Sequence, residues 1–262
     1  MRVPIAASVL TGVLALGAVA VPTTAFAATA KPVITKAVSQ SVVLGLSGTV
    51  TLGVTVTAAD ASGIKAIYAE PYPVALAAQA HAVPTAADLK GDPADDLLKV
   101  RSHTATTQTA GIRVSEKVPS SAGLPNDVAG VWGVAVLVVA KDGATTFNAK
   151  ATSYTWQRAD KLTAKTSATQ LRKGAALTVK GQLNRVDWAA HAYRGYAARP
   201  VLLQFRKSGS AAWTTAGRIT SSRTGALSAT VKDNATGYWR FVFTGNSTSG
   251  QAASTPIRVS VK

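Results

Sequence analysis

From Gly48 to Thr57 the chain reads Gly-Thr-Val-Thr-Leu-Gly-Val-Thr-Val-Thr, so Val50, Leu52, Val54 and Val56 share one face and threonines hold most of the other. A period of two marks a half-buried strand. The run Asp60-Ala-Ser-Gly63 supplies turn chemistry, and Ile64 to Tyr68 opens the next strand. Alternation weakens between Glu70 and Asp127, where Pro71, Pro73, Pro84, Pro93, Pro119 and Pro125 interrupt the pattern. That stretch is predicted to be a long irregular insertion, about 70–127, with a short helix near Thr85 to Leu98 and one or two strands such as Gly111 to Val118. Regularity returns at Gly130-Val-Trp-Gly-Val-Ala-Val-Leu-Val-Val-Ala140, the turn Lys141-Asp142-Gly143 and a last strand through Tyr154 and Trp156.

Beyond Leu162 the strands are cleaner. Leu177, Val179, Gly181 and Leu183 alternate with polar residues, as do Val201, Leu203 and Phe205; Leu227, Ala229 and Val231; Trp239, Phe241 and Phe243; and Ile257, Val259 and Val261. Turn signals at Ser208-Gly209, Thr224-Gly225, Asp233-Asn234 and Gly245-Asn246 separate them. Short strands at this spacing predict a sandwich. A weak repeat links the two halves: Gly130-Val-Trp132 and Gly237-Tyr-Trp239 each lead into an apolar strand, a turn and a final alternating strand. The fold class is therefore all-β, two tandem immunoglobulin-like β-sandwich domains, with boundaries at 31–159 and 160–262 and no flexible linker between them.

The N-terminus follows a different logic. Arg2 precedes an apolar run from Ile5 to Val21, then Pro22 and the small-residue site Ala25-Phe26-Ala27. This is the order of a secretory signal, residues 1–27, with a second cleavage site after Ala30. A membrane span needs about 20 predominantly apolar residues, and Pro22 and the threonines close this run too soon. No second apolar run of that length follows, so the processed chain is expected to be secreted with nothing holding it in a membrane. Cysteine is absent, which excludes lipoprotein attachment and leaves burial and backbone pairing to hold the modules.

Charge divides the chain. Residues 28–159 hold 11 Lys or Arg against 9 Asp or Glu, whereas residues 160–262 hold 16 against 3, a net of +13. A surface so biased attracts polyanions by Coulomb steering and counterion release; the alternative is a solvated basic surface that keeps the module soluble.

The segments Arg185-Val-Asp-Trp188, Tyr193-Arg-Gly-Tyr196, Pro200-Val-Leu-Leu-Gln-Phe-Arg206, Gly237-Tyr-Trp-Arg240 and Phe243-Thr-Gly-Asn246, in this order, resemble an immunoglobulin-like module of secreted proteins from high-GC Gram-positive bacteria. The resemblance spans about 162–262. It implies a β-sandwich outside the cell and no catalytic residues.

Candidate chemistry is sparse. No G-x-S-x-G elbow occurs, and His81, His103 and His191 stand apart in poorly ordered stretches without acidic neighbours at useful spacing. Zinc by the usual ligand sets is disfavoured, since thiolates and H-x-x-x-H spacing are missing. Asp88, Asp92, Asp95 and Asp96 form one acidic cluster that could offer oxygens to calcium, although its order is not that of an EF-hand loop. Asp60, Glu70 and Asp142 could add a loop site between the modules. The constellation Arg185, Trp188, Tyr193, Arg194, Tyr196 and Arg199 could stack on sugars while its guanidinium groups hold phosphates or carboxylates. The structural alternative is that Trp188 and one tyrosine plug the sandwich end while the arginines point outward.

The leading expectation is a non-enzymatic extracellular protein whose basic second module associates with an anionic cell-wall polymer or acidic polysaccharide. No cofactor is required, nucleic acid is disfavoured by export, and the sequence is silent on oligomeric state. A calcium-binding adhesion or scaffold protein is the second expectation, and a hydrolase built in the 70–127 insertion the third.

Overall fold

The computed structural model describes residues 30–47, 49–91, 99–117 and 125–262; the segment read as a signal lies outside them. Among the described residues the first module has eight strands: β1 (Val33–Ser39), β2 (Val42–Leu44), β3 (Thr49–Ala59), β4 (Ile64–Pro73), β5 (Lys99–His103), β6 (Thr107–Lys117), β7 (Gly130–Ala140) and β8 (Thr145–Arg158). They make two sheets, ordered β1-β3-β6-β5 and β2-β8-β7-β4. The second module has β9 (Asp160–Thr166), β10 (Gln170–Leu171), β11 (Ala175–Asp187), β12 (Ala192–Gly195) and β13 (Pro200–Lys207). It continues with β14 (Thr214–Thr220), β15 (Ala226–Asp233), β16 (Gly237–Phe243), β17 (Ala252–Ala253) and β18 (Ile257–Val261). One sheet is β9-β11-β15 with β12 on the end of β11, and the other is β10-β18-β16-β13-β14 with β17 beside β16.

The two modules share one strand order. In each, the first strand pairs in one sheet, then a two- or three-residue strand crosses to the other sheet and runs parallel to the last strand, β2 to β8 and β10 to β18. Thereafter β1-β3-β6 corresponds to β9-β11-β15, and β2-β8-β7-β4 to β10-β18-β16-β13. This is the immunoglobulin-like arrangement. Gly130 and Gly237, the residues that suggested a repeat, open the equivalent strands β7 and β16.

Inward alternation builds each core. Val54, Val56 and Ala58 of β3 meet Ile67, Val134, Val136 and Val138 from the facing sheet. In the second module Leu177, Val179 and Leu183 of β11 meet Val201, Leu203, Phe241 and Phe243. Trp239 is buried there, its indole N–H donating to Asp233 at 3.2 Å.

The stretch 70–127 differs from its sequence reading. β4 continues to Pro73, and it tolerates Pro71 and Pro73 because it is the edge strand of its sheet. Two short helices follow, α1 (Val74–Ala80) and α2 (Ala86–Gly91), and cover the outer face of that sheet: Ala77 and Leu89 pack on Tyr72, Ala135 and Leu137. Cover on both faces explains why Val134 to Val138 form an unbroken buried run. β6 begins at Thr107, four residues before the strand expected from sequence, and pairs with β3 from end to end.

Gly237 is held by close approach. A Cβ there would collide with the Phe205 ring and the Arg206 carbonyl. Gly237→Ala is expected to lower unfolding stability in urea by about 1–3 kcal/mol, the usual cost of overpacking; an unchanged midpoint would contradict this packing.

Candidate functional site

The residues gathered between the modules come from five separate stretches of chain. Only Ala159 separates β8 from β9, so the modules meet without a linker. Val42, Leu44, Val186 and Trp188 form a buried cluster there, flanked by Leu46, Val128, Trp156 and Tyr193. Polar groups close it. The Trp188 indole donates to the Leu44 carbonyl at 3.3 Å, and the Trp188 amide donates to Asn126 Oδ1 at 3.0 Å. Asn126 Nδ2 donates to Asp187 Oδ1 at 2.8 Å. Arg158, only 9% exposed, donates from Nε to the Val186 carbonyl at 2.6 Å. The backbone joins in: Arg158 N–H donates to Thr248, Gly250 N–H donates to Arg158, and Gln157 Nε2 donates to the Asn246 carbonyl.

This junction receives most of the aromatic–arginine constellation. Trp188 and Tyr196 are buried. Two guanidinium groups lie over the Tyr196 ring, Arg185 3.8 Å and Arg199 4.6 Å from its centre, while its hydroxyl accepts from Asn246 and Ser249. Arg185 also donates to Ser249 Oγ at 3.1 Å. Tyr193, half-buried, carries the Lys161 ammonium 4.0 Å from its ring centre. Arg194 is exposed on β12. The structure thus brings the six together, but it spends the Tyr196 ring on two arginines and seals Trp188 inside.

Asp160 is the unusual acid of the junction. Both its carboxylate oxygens are buried without a hydrogen-bond donor. Burial raises its pKa to about 7 against the pull of Arg185 and Arg158. The folded state therefore keeps a proton that the unfolded chain releases near pH 4, so this group favours folding below about pH 4 and the contribution is lost as pH rises through about 7.

The expected calcium ligands do not assemble among the described residues. Asp88 is exposed and accepts from Thr85 N–H at 2.8 Å and Oγ1 at 2.7 Å, capping α2; these bonds lower its pKa. Asp92, Asp95 and Asp96 lie outside the described residues. Asp60 and Asp142 meet at the β3–β4 and β7–β8 turns, where Asp60 accepts from Ser62 and the Asp142 amide donates to Ser62 Oγ at 3.3 Å. That end of the first module is the one away from the junction, and Glu70 sits mid-strand opposite Ala135, so a shared site between modules does not form. No three His, Asp or Glu side chains converge among the described residues. His81, His103 and His191 are exposed and far apart in the chain.

The charge asymmetry acquires a geometry. All three acids of the second module are occupied at or within the fold: Asp160 is enclosed at the junction, Asp187 accepts from Asn126 and the Ala190 amide, and Asp233 accepts from Trp239. Its outer faces are thus left to cations. On one, Lys165 and Lys180 are cross-strand partners beside a shallow groove of ≈ 430 Å³. On the other, Arg206 and Arg240 stand among Trp213 and Tyr238. The outward positions of β13 and β16, Gln204, Arg206, Tyr238 and Arg240, carry the same period of two as the inward ones and could have been found by it.

Fold and charge together define an all-β protein of two tandem immunoglobulin-like sandwiches, the second cationic on both outer faces. No helix among the described residues is long and apolar enough to cross a membrane. No protein-family model matches the sequence, and no curated protein matches it. Among solved structures, fibronectin(III)-like modules of Clostridium thermocellum CbhA are 12% identical, covering 88% of this chain and 92% of theirs, with a TM-score of 0.41. The D00-D0 domain of intimin is 13% identical over 87% of this chain and 98% of its own, at a TM-score of 0.28. A superoxide reductase (neelaredoxin) from Ignicoccus hospitalis is 14% identical over 40% of this chain and 82% of its own, at 0.29. Likenesses this distant carry no argument about activity, and the fold assignment rests on the strand order.

Two outcomes follow. Trp188→Ala is expected to cost about 3–5 kcal/mol, as for other large buried aromatics, read from urea unfolding; a loss below about 1 kcal/mol would mean the indole is dispensable. Asp160→Asn is expected to raise the melting temperature at pH 8 and to leave it unchanged at pH 4. An equal effect at both pH values would show that the carboxylate is not protonated by burial.

Proposed function

We propose that this chain is an exported, non-enzymatic binding protein, held outside the cell by attraction between its basic second module and an anionic cell-wall polymer or acidic polysaccharide. One observation carries this reading: the second module places 16 cationic side chains against three acids, of which Asp187 and Asp233 are hydrogen-bonded within the fold and Asp160 is buried at the junction. A surface on which cations outnumber acids this far holds a long-range positive field that steers polyanions. The N-terminal order of Arg2, apolar run and Ala25-Phe26-Ala27 supports export. Outside the cell, wall phosphates and acidic sugars are the abundant polyanions, and nucleic acid is not. The first module acts as the rigid partner through which the second is presented.

Purified Gram-positive cell walls test the proposal. The chain lacking residues 1–27 is expected to sediment with walls at about 0.01 M salt and to be released at about 1 M, because the screening length falls from about 30 to about 3 Å. Failure to sediment at low salt would overturn it, as would binding that persists unchanged at high salt.

A further inference from the structure

The outer face of the β10-β18-β16-β13-β14 sheet has an arrangement that net charge alone does not require. Strand register sets Gln204 opposite Arg240 and Arg206 opposite Tyr238, so the two arginines are diagonal neighbours. Trp213, just before β14, takes both: the Arg240 guanidinium carbon lies 3.9 Å from its ring centre and that of Arg206 5.1 Å. Arg206 lies also 4.8 Å from the Tyr238 ring centre. Arg258 is the cross-strand partner of Tyr238, and Arg218 stands on the same face opposite Leu202.

Stacking on rings occupies the flat faces of a guanidinium and leaves its edge donors pointing away. Arg240 uses Nε on Gln204 Oε1 at 3.0 Å, whereas Arg206 Nε is buried with no acceptor. Two like charges are thus fixed over one indole, while Asp187 and Asp233 are hydrogen-bonded elsewhere and Asp160 is buried at the junction. Burial and the Arg206 charge lower the pKa of Arg240, the response of a cation with no counter-ion. Fixed planar forks without an acid are the complement of an oxyanion with two acceptor atoms.

We propose that this face is an oxyanion-binding platform, with Arg206 and Arg240 as its two forks, that takes the repeated phosphate or carboxylate groups of an anionic extracellular polymer. The proposal rests on the polyanion reading above and localises it. It places the recognising residues on the open sheet face and not at Arg185, Arg194 and Arg199, the first and last of which lie over Tyr196, a ring buried at the junction. Arg218 and Arg258 extend the cationic track on either side, so successive oxyanions of one polymer can be met without a pocket.

The test keeps net charge constant. The chain lacking residues 1–27 is titrated in about 0.15 M salt with long-chain polyphosphate, polygalacturonate, neutral dextran and a DNA oligonucleotide. Unmodified protein is expected to bind polyphosphate or polygalacturonate, the preferred one showing whether phosphate or carboxylate is the natural group, and not dextran. The double variant Arg206→Lys with Arg240→Lys retains both charges but loses the planar forks, and is expected to weaken that binding by about tenfold. The matched variant Lys165→Arg with Lys180→Arg on the opposite sheet is expected to bind within about twofold of the unmodified chain. Circular dichroism and melting temperature verify that both variants fold; should Arg206→Lys with Arg240→Lys not fold, Arg218→Lys with Arg258→Lys is read instead, with a smaller loss expected. Unchanged affinity in the folded Arg-to-Lys variant would overturn the platform and leave the charge-driven reading standing. Tighter binding of DNA than of either polymer would overturn the assigned ligand class. Absence of binding to both polymers, even at about 0.01 M salt, would remove the platform and the underlying reading together.

Discussion

Arg158 ends β8 with its guanidinium sunk between the modules, Nε on the Val186 carbonyl and its own backbone bonded to Thr248 and Gly250. A buried guanidinium is tolerable only when its donors are used and its charge is met. That requirement orders the surroundings. The Val186 carbonyl must face β8, Trp188 follows into the cavity beside Leu44, and the loop after β16 must lie along the end of β8, where Ser249 forms a bridge to Arg158. With only Ala159 between β8 and β9, chain connectivity and side-chain packing demand the same relative placement. The junction is a small core of its own, with the apolar residues of two modules closed by hydrogen bonds from Trp188, Asn126 and Arg158, and with the Asp160 carboxyl buried beside them without a donor.

The rest of the charge distribution follows from this tie. Asp160 is drawn into the junction by its position one residue past Ala159 and loses its solvent, so burial outweighs its two arginine neighbours. Asp187 is taken by Asn126 of the first module, and Asp233 by Trp239 of the core. Asp187 and Asp233 serve cohesion and Asp160 is enclosed, so all three acids are withheld from the surface. The exposed faces of the second module are therefore cationic because the architecture consumes its acids, and rigid attachment to the first module holds those faces in a fixed orientation.

Much of this was legible in the sequence, for a stated reason. Where one face of a strand meets the core and the other meets water, a period of two shows it: β3, β11, β13, β15, β16 and β18 could all be read from their inward residues. The strands that escaped reading lack that contrast. β2 and β10 have three and two residues, too few for a period. β4 is legible from Ile64 to Tyr68, but its continuation to Pro73 carries prolines that only an edge position excuses. α1 is short and lies on a sheet whose far face it buries, so its sequence resembles an insertion, whereas α2 falls within the helix expected near Thr85 to Leu98. The order of strands within each sheet, which makes the two modules alike, depends on pairings between distant residues that no local pattern encodes.

The site was legible as a segment and not as a surface. Arg185 to Arg199 is rich in aromatics and arginines, but what those side chains face is set by Leu44, Asn126 and Ser249, remote in sequence, and these turn most of the cluster inward. Arg206, Trp213, Tyr238 and Arg240 come from three elements and converge only once β13 pairs with β16. The central claim is that the junction makes one body of the two modules. The chain has no cysteine, so a single pair can be introduced and spin-labelled at Lys141, at the far turn of the first module, and Gly209, at the far turn of the second. One narrow inter-label distance distribution, broadened by Trp188→Ala, is the expected result; a broad or two-peaked distribution in the otherwise unmodified chain would contradict the account.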